Sequence, residues 1–167
     1  ISANILSGFW CDRGLSEHAI HAWTGSRDTV VDRNVIVNSA RGIGLGLGSS
    51  TKGRTYGDSP CGAVTDIGHY GGAITNNFVA ANDARLFASS AGFDTGIGLE
   101  QSCETSVVHN SVASTVAPRS SSIEWRFANT TALVANNLVT HTLLPRDGGR
   151  AGHAGNVGNT PLSLFVD

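Results

Sequence analysis

The amino-acid sequence predicts an all-β chain built from repeated units that stack on one another. Three observations support this prediction. A short pattern with an asparagine between apolar runs occurs four times in the 167 residues. The apolar runs are short and alternate at period two or break at Gly, Asn or Ser, so helical periodicity is nearly absent. Each unit also has a single apolar face, which it can bury only against a neighbouring unit.

The asparagine-centred pattern is the second strand of each unit. Its copies read "VVDRNVIVNS" (30–39), "AITNNFVAAN" (73–82), "SVVHNSVAST" (106–115) and "LVANNLVTHT" (133–142). Their aligned asparagines are separated by 43, 33 and 27 residues and are Asn34, Asn77, Asn110 and Asn137. A constant local pattern at changing intervals indicates one unit with loops of different length between the copies. The largest insertion covers residues 48–71, and the Gly-rich tail predicts a degenerate last coil with Asn156 as a further member.

The first strand of each unit lies upstream of the asparagine. Its copies read "AIHAW" (19–23), "GIGLGL" (42–47), "GIGLEQ" (96–101) and "SIEWRF" (122–127). Each copy carries one isoleucine that we take as pointing into the core, and these are Ile20, Ile43, Ile97 and Ile123. Each unit is therefore predicted to be strand, turn, strand and loop.

The segments "AITNNFV" and "LVANNLV" resemble the repeat of the right-handed parallel β-helix family, the pectate lyase-like solenoids. The resemblance covers about residues 15–142. It implies a single-stranded right-handed parallel β-helix of about four to five coils, as one domain over residues 1–167. Because the chain begins at Ile1 and contains no Met, we interpret it as a fragment of a longer chain.

A parallel solenoid explains the repeated asparagine. Equivalent residues of successive coils lie about 4.8 Å apart, so an inward amide meets another directly above and below it. An amide both donates and accepts hydrogen bonds, and a ladder of amides can satisfy itself where a lone buried amide costs about 1–3 kcal/mol. The four asparagines are therefore predicted to be structural.

The outward residues of the first strands predict a groove. Alternation places four pairs on one face, and they are His21 and Trp23, Gly44 and Gly46, Gly98 and Glu100, and Glu124 and Arg126. Glycine within a strand often marks a close approach by a ligand or another backbone. Gly44, Gly46 and Gly98 are accordingly predicted to form the floor of a substrate-binding groove. The alternative is that they make room for the insertion 48–71 to fold over this face.

Individual groove residues have two interpretations each. Trp23 is either a platform for stacking sugars or a side chain packed under a loop. His21 is a candidate general base or hydrogen-bond partner, whereas His18, three positions away, is expected to face the opposite side, which argues against a metal pair. Glu100 and Glu124 are expected to lie diagonally, about 7–8 Å apart, either as the two carboxylates of an inverting glycosidase or as members of ion pairs.

The resemblance also implies a chemistry. Relatives with this fold often cleave acidic polysaccharides by β-elimination, with Lys, Arg or His as the base and Ca²⁺ or Arg neutralising the substrate carboxylate. Arg126, His21 and Lys52 match the first role by residue type, and Asp94, Glu100 and Glu124 match a calcium site. The acidic calcium motifs and basic cluster of the lyases are not intact here, nor is the close aspartate set of the related hydrolases. Catalysis therefore stays open, with His21, Glu100, Glu124 and Arg126 as the candidate catalytic residues.

Composition limits the remaining classes. The net charge is −2 and the basic residues are scattered, so the sequence predicts no nucleic-acid-binding surface. The sequence contains no run of eighteen apolar residues, so it predicts no membrane span. Cys11, Cys61 and Cys103 can form one disulfide, in any of three pairings, or all three can be reduced thiols. The two functions that remain are a secreted polysaccharide lyase or hydrolase and a noncatalytic glycan-binding or structural surface module. Solenoid ends without charged caps further predict either that the chain is part of a longer helix or that self-association covers its ends.

Overall fold

The computed structural model describes residues 1–14, 17–23, 25–48, 54–64 and 67–165 of the chain. Within them the protein is all-β, with strands that form four sheets in which every pairing is parallel. This confirms the predicted fold class at the level of a parallel, stacked β architecture. Lys52, one of the bases implied by the family resemblance, lies outside the described residues.

The chain visits sheets I, II, III and IV in turn and returns to sheet I, except that the last two rounds pass from sheet II to sheet IV without a strand in sheet III. Sheet I contains β1 (Ile5–Ser7), β5 (Val35–Val37), β9 (Phe78–Ala81), β13 (Ser111–Ser114) and β16 (Leu138–Val139). Sheet II contains β2 (His18–Ala22), β6 (Arg41–Gly46), β10 (Thr95–Glu100), β14 (Ser121–Arg126) and β17 (Leu143–Arg146). Sheet III contains β3 (Ser26–Arg27), β7 (His69–Tyr70) and β11 (Ser102–Cys103). Sheet IV contains β4 (Val30–Asp32), β8 (Ala73–Thr75), β12 (Thr105–Val108), β15 (Thr131–Ala135) and β18 (Arg150–Ala154).

Two short helices accompany the strands. Helix α1 (Ala84–Ala88) follows β9, and the carboxylate of Asp83 caps it by accepting a hydrogen bond from the Arg85 backbone N–H at 2.8 Å. Leu86 is the helix residue buried in the core. A 3₁₀ turn spans Leu162–Leu164. No helix in the described part of the chain has the length and hydrophobicity that a membrane crossing requires.

The core is built from stacked rows of identical or similar apolar side chains. The predicted inward residues of sheet II, Ile20, Ile43, Ile97 and Ile123, pair in register and are at most 5% exposed. Sheets I and IV add rows of buried Val and Ile, which are Val31, Ile36, Ile74, Val79, Val107, Val112, Val134 and Val139. Burial of each such side chain contributes about 1.5–3 kcal/mol, so the rows stabilise the fold substantially.

The predicted asparagine ladder is present at the corner between sheets IV and I. Asn34, Asn77, Asn110 and Asn137 are at most 2% exposed. The Oδ1 atom of Asn77 accepts hydrogen bonds from the backbone N–H and the side-chain amide of Asn34, both at 2.9 Å. The same pair of bonds joins Asn77 to Asn110 and Asn110 to Asn137. Each side-chain amide also donates to backbone carbonyls, as Asn110 does to Ile74 at 2.9 Å.

The ladder extends beyond the four predicted members. Asn156 accepts two bonds from Asn137, as the sequence predicted, and Asn4 donates two bonds to Asn34. Each ladder asparagine follows a residue with φ between +53° and +63°, and these residues are Ala3, Arg33, Asn76, His109, Asn136 and Gly155. In the double "NN" the first asparagine therefore makes the left-handed corner and the second forms the ladder.

The insertion 48–71 contains a strand, since His69–Tyr70 form β7 of sheet III. Its described residues 54–64 pack on sheet III: a disulfide joins Cys61 to Cys103 of β11, and Tyr56 and Cys61 pack against a second small core of Ile67, Tyr70 and Cys103. Gly68 of the same insertion lies against Gly46 of sheet II, its Cβ position 2.9 Å from the Gly46 Cα. Cys11 is a free, exposed thiol. Sequence alone left the three pairings open, because it does not show which loop covers sheet III.

Replacing a middle member of the ladder should destabilise the protein far more than replacing an end member. Asn110→Leu leaves Asn77 without its acceptor and removes the donor to Ile74, so we expect a loss of about 2–4 kcal/mol in the free energy of unfolding. Asn4→Leu, at the exposed end, should cost less than about 1 kcal/mol. Chemical denaturation of both variants measures the difference, and equal losses would show that the ladder does not stabilise the corner.

Candidate functional site

The outward residues of sheet II lie in two straight rows, as the sequence predicted. His21 pairs with Gly44, Gly44 with Gly98, and Gly98 with Glu124. In the second row Gly46 pairs with Glu100 and Glu100 with Arg126. Glu100 and Glu124 are thus diagonal neighbours on adjacent strands. One face of the solenoid carries all of these positions.

The expectation that His18 and His21 face opposite sides is wrong. Their rings are stacked with centroids 4.0 Å apart. The reason is a break in alternation, seen in β6 and β10. The Cβ positions of Gly42 and Gly96 lie against the core side chains of Val79 and Val112, whereas a Cβ on Gly44 would meet the ring of His18. This break in alternation places His18, which pairs with Arg41, on the outer face together with His21.

A cleft of about 830 Å³ opens beside this histidine pair. Sheet II contributes His18, His21 and Arg41, Trp23 follows directly after β2, and the loops contribute Asp94 and Arg119. The remaining lining residues are Gly14, Glu17, Leu47, Ser90 and Ala91. The volume lies in the range of ordinary ligand-binding pockets. Of the predicted site residues, His21 and Trp23 line this cleft. Glu100, Glu124 and Arg126 share the face without lining the cleft, and their catalytic roles stay predictions.

An aromatic stack forms one wall of the cleft. The His21 ring lies between His18 and Trp23, with its centroid 5.8 Å from that of the Trp23 indole and the two planes 14° apart. The indole is 51% exposed, so it presents an apolar face to solvent at the cleft rim. The His21 Nε2–H donates to the carbonyl of Gly46 at 2.9 Å, which leaves Nδ1 as the acceptor of the neutral ring.

His18 carries no positive charge at neutral pH. Burial, followed by the charges of His21 and Arg41, lowers the pKa of His18 to about 3. His18 is therefore neutral near pH 7. Arg41 and Arg119 place positive charge at the cleft.

The three glycines of the predicted floor have different roles. Gly44 makes room for His18, since a Cβ there would lie 2.5 Å from the imidazole Nε2. Gly46 has φ +80° and its Cβ position is occupied by the carbonyl oxygen of Glu100, so the backbone itself requires glycine. Gly98 alone is open, with Thr95 Cγ2 at 3.5 Å as the nearest atom to a Cβ.

A chain of alternating charges crosses the face. Arg41 Nε donates to Asp94 at 2.6 Å, and its Nη1 lies 3.5 Å from Glu100. Arg126 Nη1 lies 3.4 Å from the same carboxylate oxygen, and its guanidinium bonds Asp147 at 2.7 Å. The backbone N–H of residue 48 donates to the other oxygen of Glu100 at 2.6 Å. Glu100 is thus held by two arginines and one amide.

Glu124 forms a separate buried ion pair. It is fully buried, and Arg146 donates to its Oε2 at 2.6 Å. Burial raises the pKa of this carboxyl, while the hydrogen bond from Arg146 opposes the shift. Its Oε1 has no hydrogen-bond partner in the described structure. A carboxylate without exposed surface is poorly placed to meet a polymer in the cleft.

Arg119 differs from the other arginines of this face. It is exposed, lines the cleft and donates to the carbonyl of Ser89 at 3.0 Å. No carboxylate of the described residues lies within ion-pair distance of it. Its guanidinium therefore has donors left for an anionic ligand.

The carboxylates proposed for calcium do not fit that ion. Asp94, Glu100 and Glu124 each already bond an arginine, which a cation would have to displace. The described residues contain no group of three or more His, Cys, Asp or Glu arranged to hold a metal ion. We therefore derive no step through calcium.

Sequence reasoning missed several lining residues for identifiable reasons. Aligning the first strands on their isoleucines would have put His18 beside Arg41, since each lies two positions before its isoleucine. Ser90, Ala91 and Arg119 lie in connections from sheet I to sheet II, which differ in length and sequence from unit to unit. No periodic signal marks them.

Comparisons with protein-family models, with curated proteins and with solved structures give no match to this chain.

Alanine substitutions at Gly44 and Gly98, which pair between β6 and β10, should change the free energy of unfolding in opposite directions. Gly44→Ala forces the His18 ring away and should cost about 1–3 kcal/mol of unfolding free energy, as overpacking does. Gly98→Ala fits without a clash and should be neutral or stabilising by about 0.4–1 kcal/mol, because alanine restricts the unfolded chain. Neither position has a positive φ. Denaturation curves test this, and an equal effect at both sites would contradict the placement of His18 over Gly44.

Proposed function

We propose that this protein binds an acidic polysaccharide in the cleft between the His18–His21–Trp23 stack and Arg119. The observation that carries the proposal is the half-exposed Trp23 at the rim of a cleft that also contains Arg119, which pairs with no carboxylate of the described residues. An exposed aromatic face stacks on the apolar face of a sugar ring, and a guanidinium fork binds a carboxylate through two hydrogen bonds. Both groups lie on rigid solenoid elements or their immediate connections.

The parallel sheets and the amide ladder support the finer description of the fold. We propose a right-handed, pectate lyase-like β-helix of four to five coils. The Cys61–Cys103 disulfide favours an oxidising compartment and therefore a secreted or surface-exposed protein.

If the site is catalytic, its geometry favours a lyase over a hydrolase. A β-elimination needs a base for the proton alpha to the carboxylate and a cation for the charge that develops on that carboxylate. The His21 ring, with Nε2–H fixed by Gly46, supplies an acceptor at Nδ1, and Arg119 supplies the cation. A hydrolase would need two accessible carboxylates, whereas Glu124 is buried and Glu100 is held by two arginines.

Binding and turnover can be separated with three variants. We expect polygalacturonate to bind the wild-type protein in titration calorimetry, and Trp23→Ala and Arg119→Ala each to weaken binding by about tenfold or more. Arg150→Ala removes an exposed arginine of sheet IV and should leave affinity unchanged. If the protein is a lyase, ultraviolet absorbance of unsaturated uronate appears with wild type and is lost in His21→Ala, which still binds; a noncatalytic module gives binding without absorbance.

A neutral polymer such as dextran is the control ligand. Equal affinity for dextran and polygalacturonate would contradict the role of Arg119. Absence of binding to any acidic polysaccharide would reject the proposal as a whole.

The polarity of the ladder supports a second proposal, that copies of the chain associate end to end. Each ladder asparagine donates to the next one along the chain, so Asn4 has an Oδ1 and Asn156 a backbone N–H without partners among the described residues. The free acceptor of one copy therefore complements the free donor of another. One row of paired residues runs across sheet I from Ile5 at one end to Val157 at the other. These two end residues are 83% and 52% exposed.

Mixing two end variants tests this association. Ile5→Lys and Val157→Lys each block one end, so neither variant should self-associate, whereas their mixture should form a heterodimer through the two intact ends. Sedimentation velocity at high concentration measures the species. A wild-type protein that stays monomeric, or a mixture that does, would contradict head-to-tail association.

A further inference from the structure

The turn that follows Trp23 is held by the segment of residues 54–64, here called the Tyr56 segment. The Tyr56 hydroxyl donates to the carbonyl of Gly25 at 2.7 Å. The backbone N–H of Gly25 donates to the carbonyl of Gly68 at 2.9 Å, and its missing Cβ leaves room for the backbone of Arg54. The Ser26 hydroxyl closes the turn on the carbonyl of Trp23 at 3.0 Å. The position of Trp23 is therefore coupled to the Tyr56 segment.

The Tyr56 ring is itself fixed from several sides. It meets Tyr70 edge to face with centroids 5.1 Å apart, and the Arg27 guanidinium lies 4.7 Å above it. Arg27 also bonds Asp58 of the same segment at 2.8 Å. The Cys61–Cys103 disulfide joins the segment covalently to sheet III. These contacts give the Tyr56 hydroxyl a defined position from which to hold the turn.

We propose that Tyr56 is a positioning residue for Trp23, and that the Tyr56 segment thereby sets the affinity of the cleft for its ligand. This inference rests on the proposed function, since the ligand is the acidic polysaccharide assigned above. Tyr56 does not line the cleft, and its effect passes through the Gly25 turn to the indole at the rim. A platform held in place loses less conformational freedom on binding than a mobile one, so affinity depends on the hydrogen bond that holds it.

The chain contains a matched control for this inference. Tyr70 is the edge-to-face partner of Tyr56, but its hydroxyl is buried without a hydrogen-bond partner in the described structure. Tyr56→Phe and Tyr70→Phe therefore remove the same atom from adjacent rings. Only the first removes a bond to the turn that carries Trp23.

Two measurements on these variants test the inference. The indole N–H resonance of Trp23, assigned by its loss in Trp23→Phe, should shift or broaden in Tyr56→Phe and stay unchanged in Tyr70→Phe. The Kd for polygalacturonate should rise by about fivefold in Tyr56→Phe, the effect of one hydrogen bond, and stay unchanged in Tyr70→Phe.

The indole measurement needs no ligand, so it decides on the positioning role even if polygalacturonate does not bind the wild type. An unchanged Trp23 resonance in Tyr56→Phe overturns the inference. A shifted resonance with an unchanged Kd overturns the claim that the Tyr56 segment sets affinity. Equal effects of both substitutions would also overturn it, because they would reflect a general loss of packing.

Discussion

The amide ladder at the corner between sheets IV and I is the constraint on which the rest of the structure depends. A buried asparagine is costly unless its donors and acceptor are used, and here each one is satisfied by the asparagines on either side and by nearby carbonyls. Because every bond from one asparagine to the next joins two successive coils, a shift of one residue would break all of these bonds. The ladder thus fixes the register of strands that are 27 to 43 residues apart in sequence.

The same register aligns the strands of sheet II. With the strands aligned, the inward isoleucines of sheet II stack into one row and the outward residues into two, which brings His21, Gly44 and Gly98 side by side. The common break in alternation then adds His18 to the same face. A stacked histidine pair, an exposed indole and a chain of arginine and carboxylate pairs result from the same alignment.

The ladder and the rows could be predicted from sequence because they depend on local periodicity. Asn34, Asn77, Asn110 and Asn137 stand in equivalent positions of a visible pattern, whereas Asn4 follows only three residues and offers no apolar run before it. The orientation of His18 was mispredicted because strict alternation does not include the break at Gly42. The disulfide partner of Cys103 and the cleft wall at Arg119 depend on how irregular loops fold back, which periodicity does not encode.

The most direct test of the account is native-state hydrogen exchange of the ladder amides. The backbone N–H groups of Asn34, Asn77 and Asn110 each donate to the next asparagine rather than to a strand carbonyl. If the ladder fixes the register, these amides exchange only through global unfolding, with the same opening free energy as amides of the central strands β9 and β10. Faster exchange of the asparagine amides than of those strands would show that the corner opens on its own, and would contradict the account.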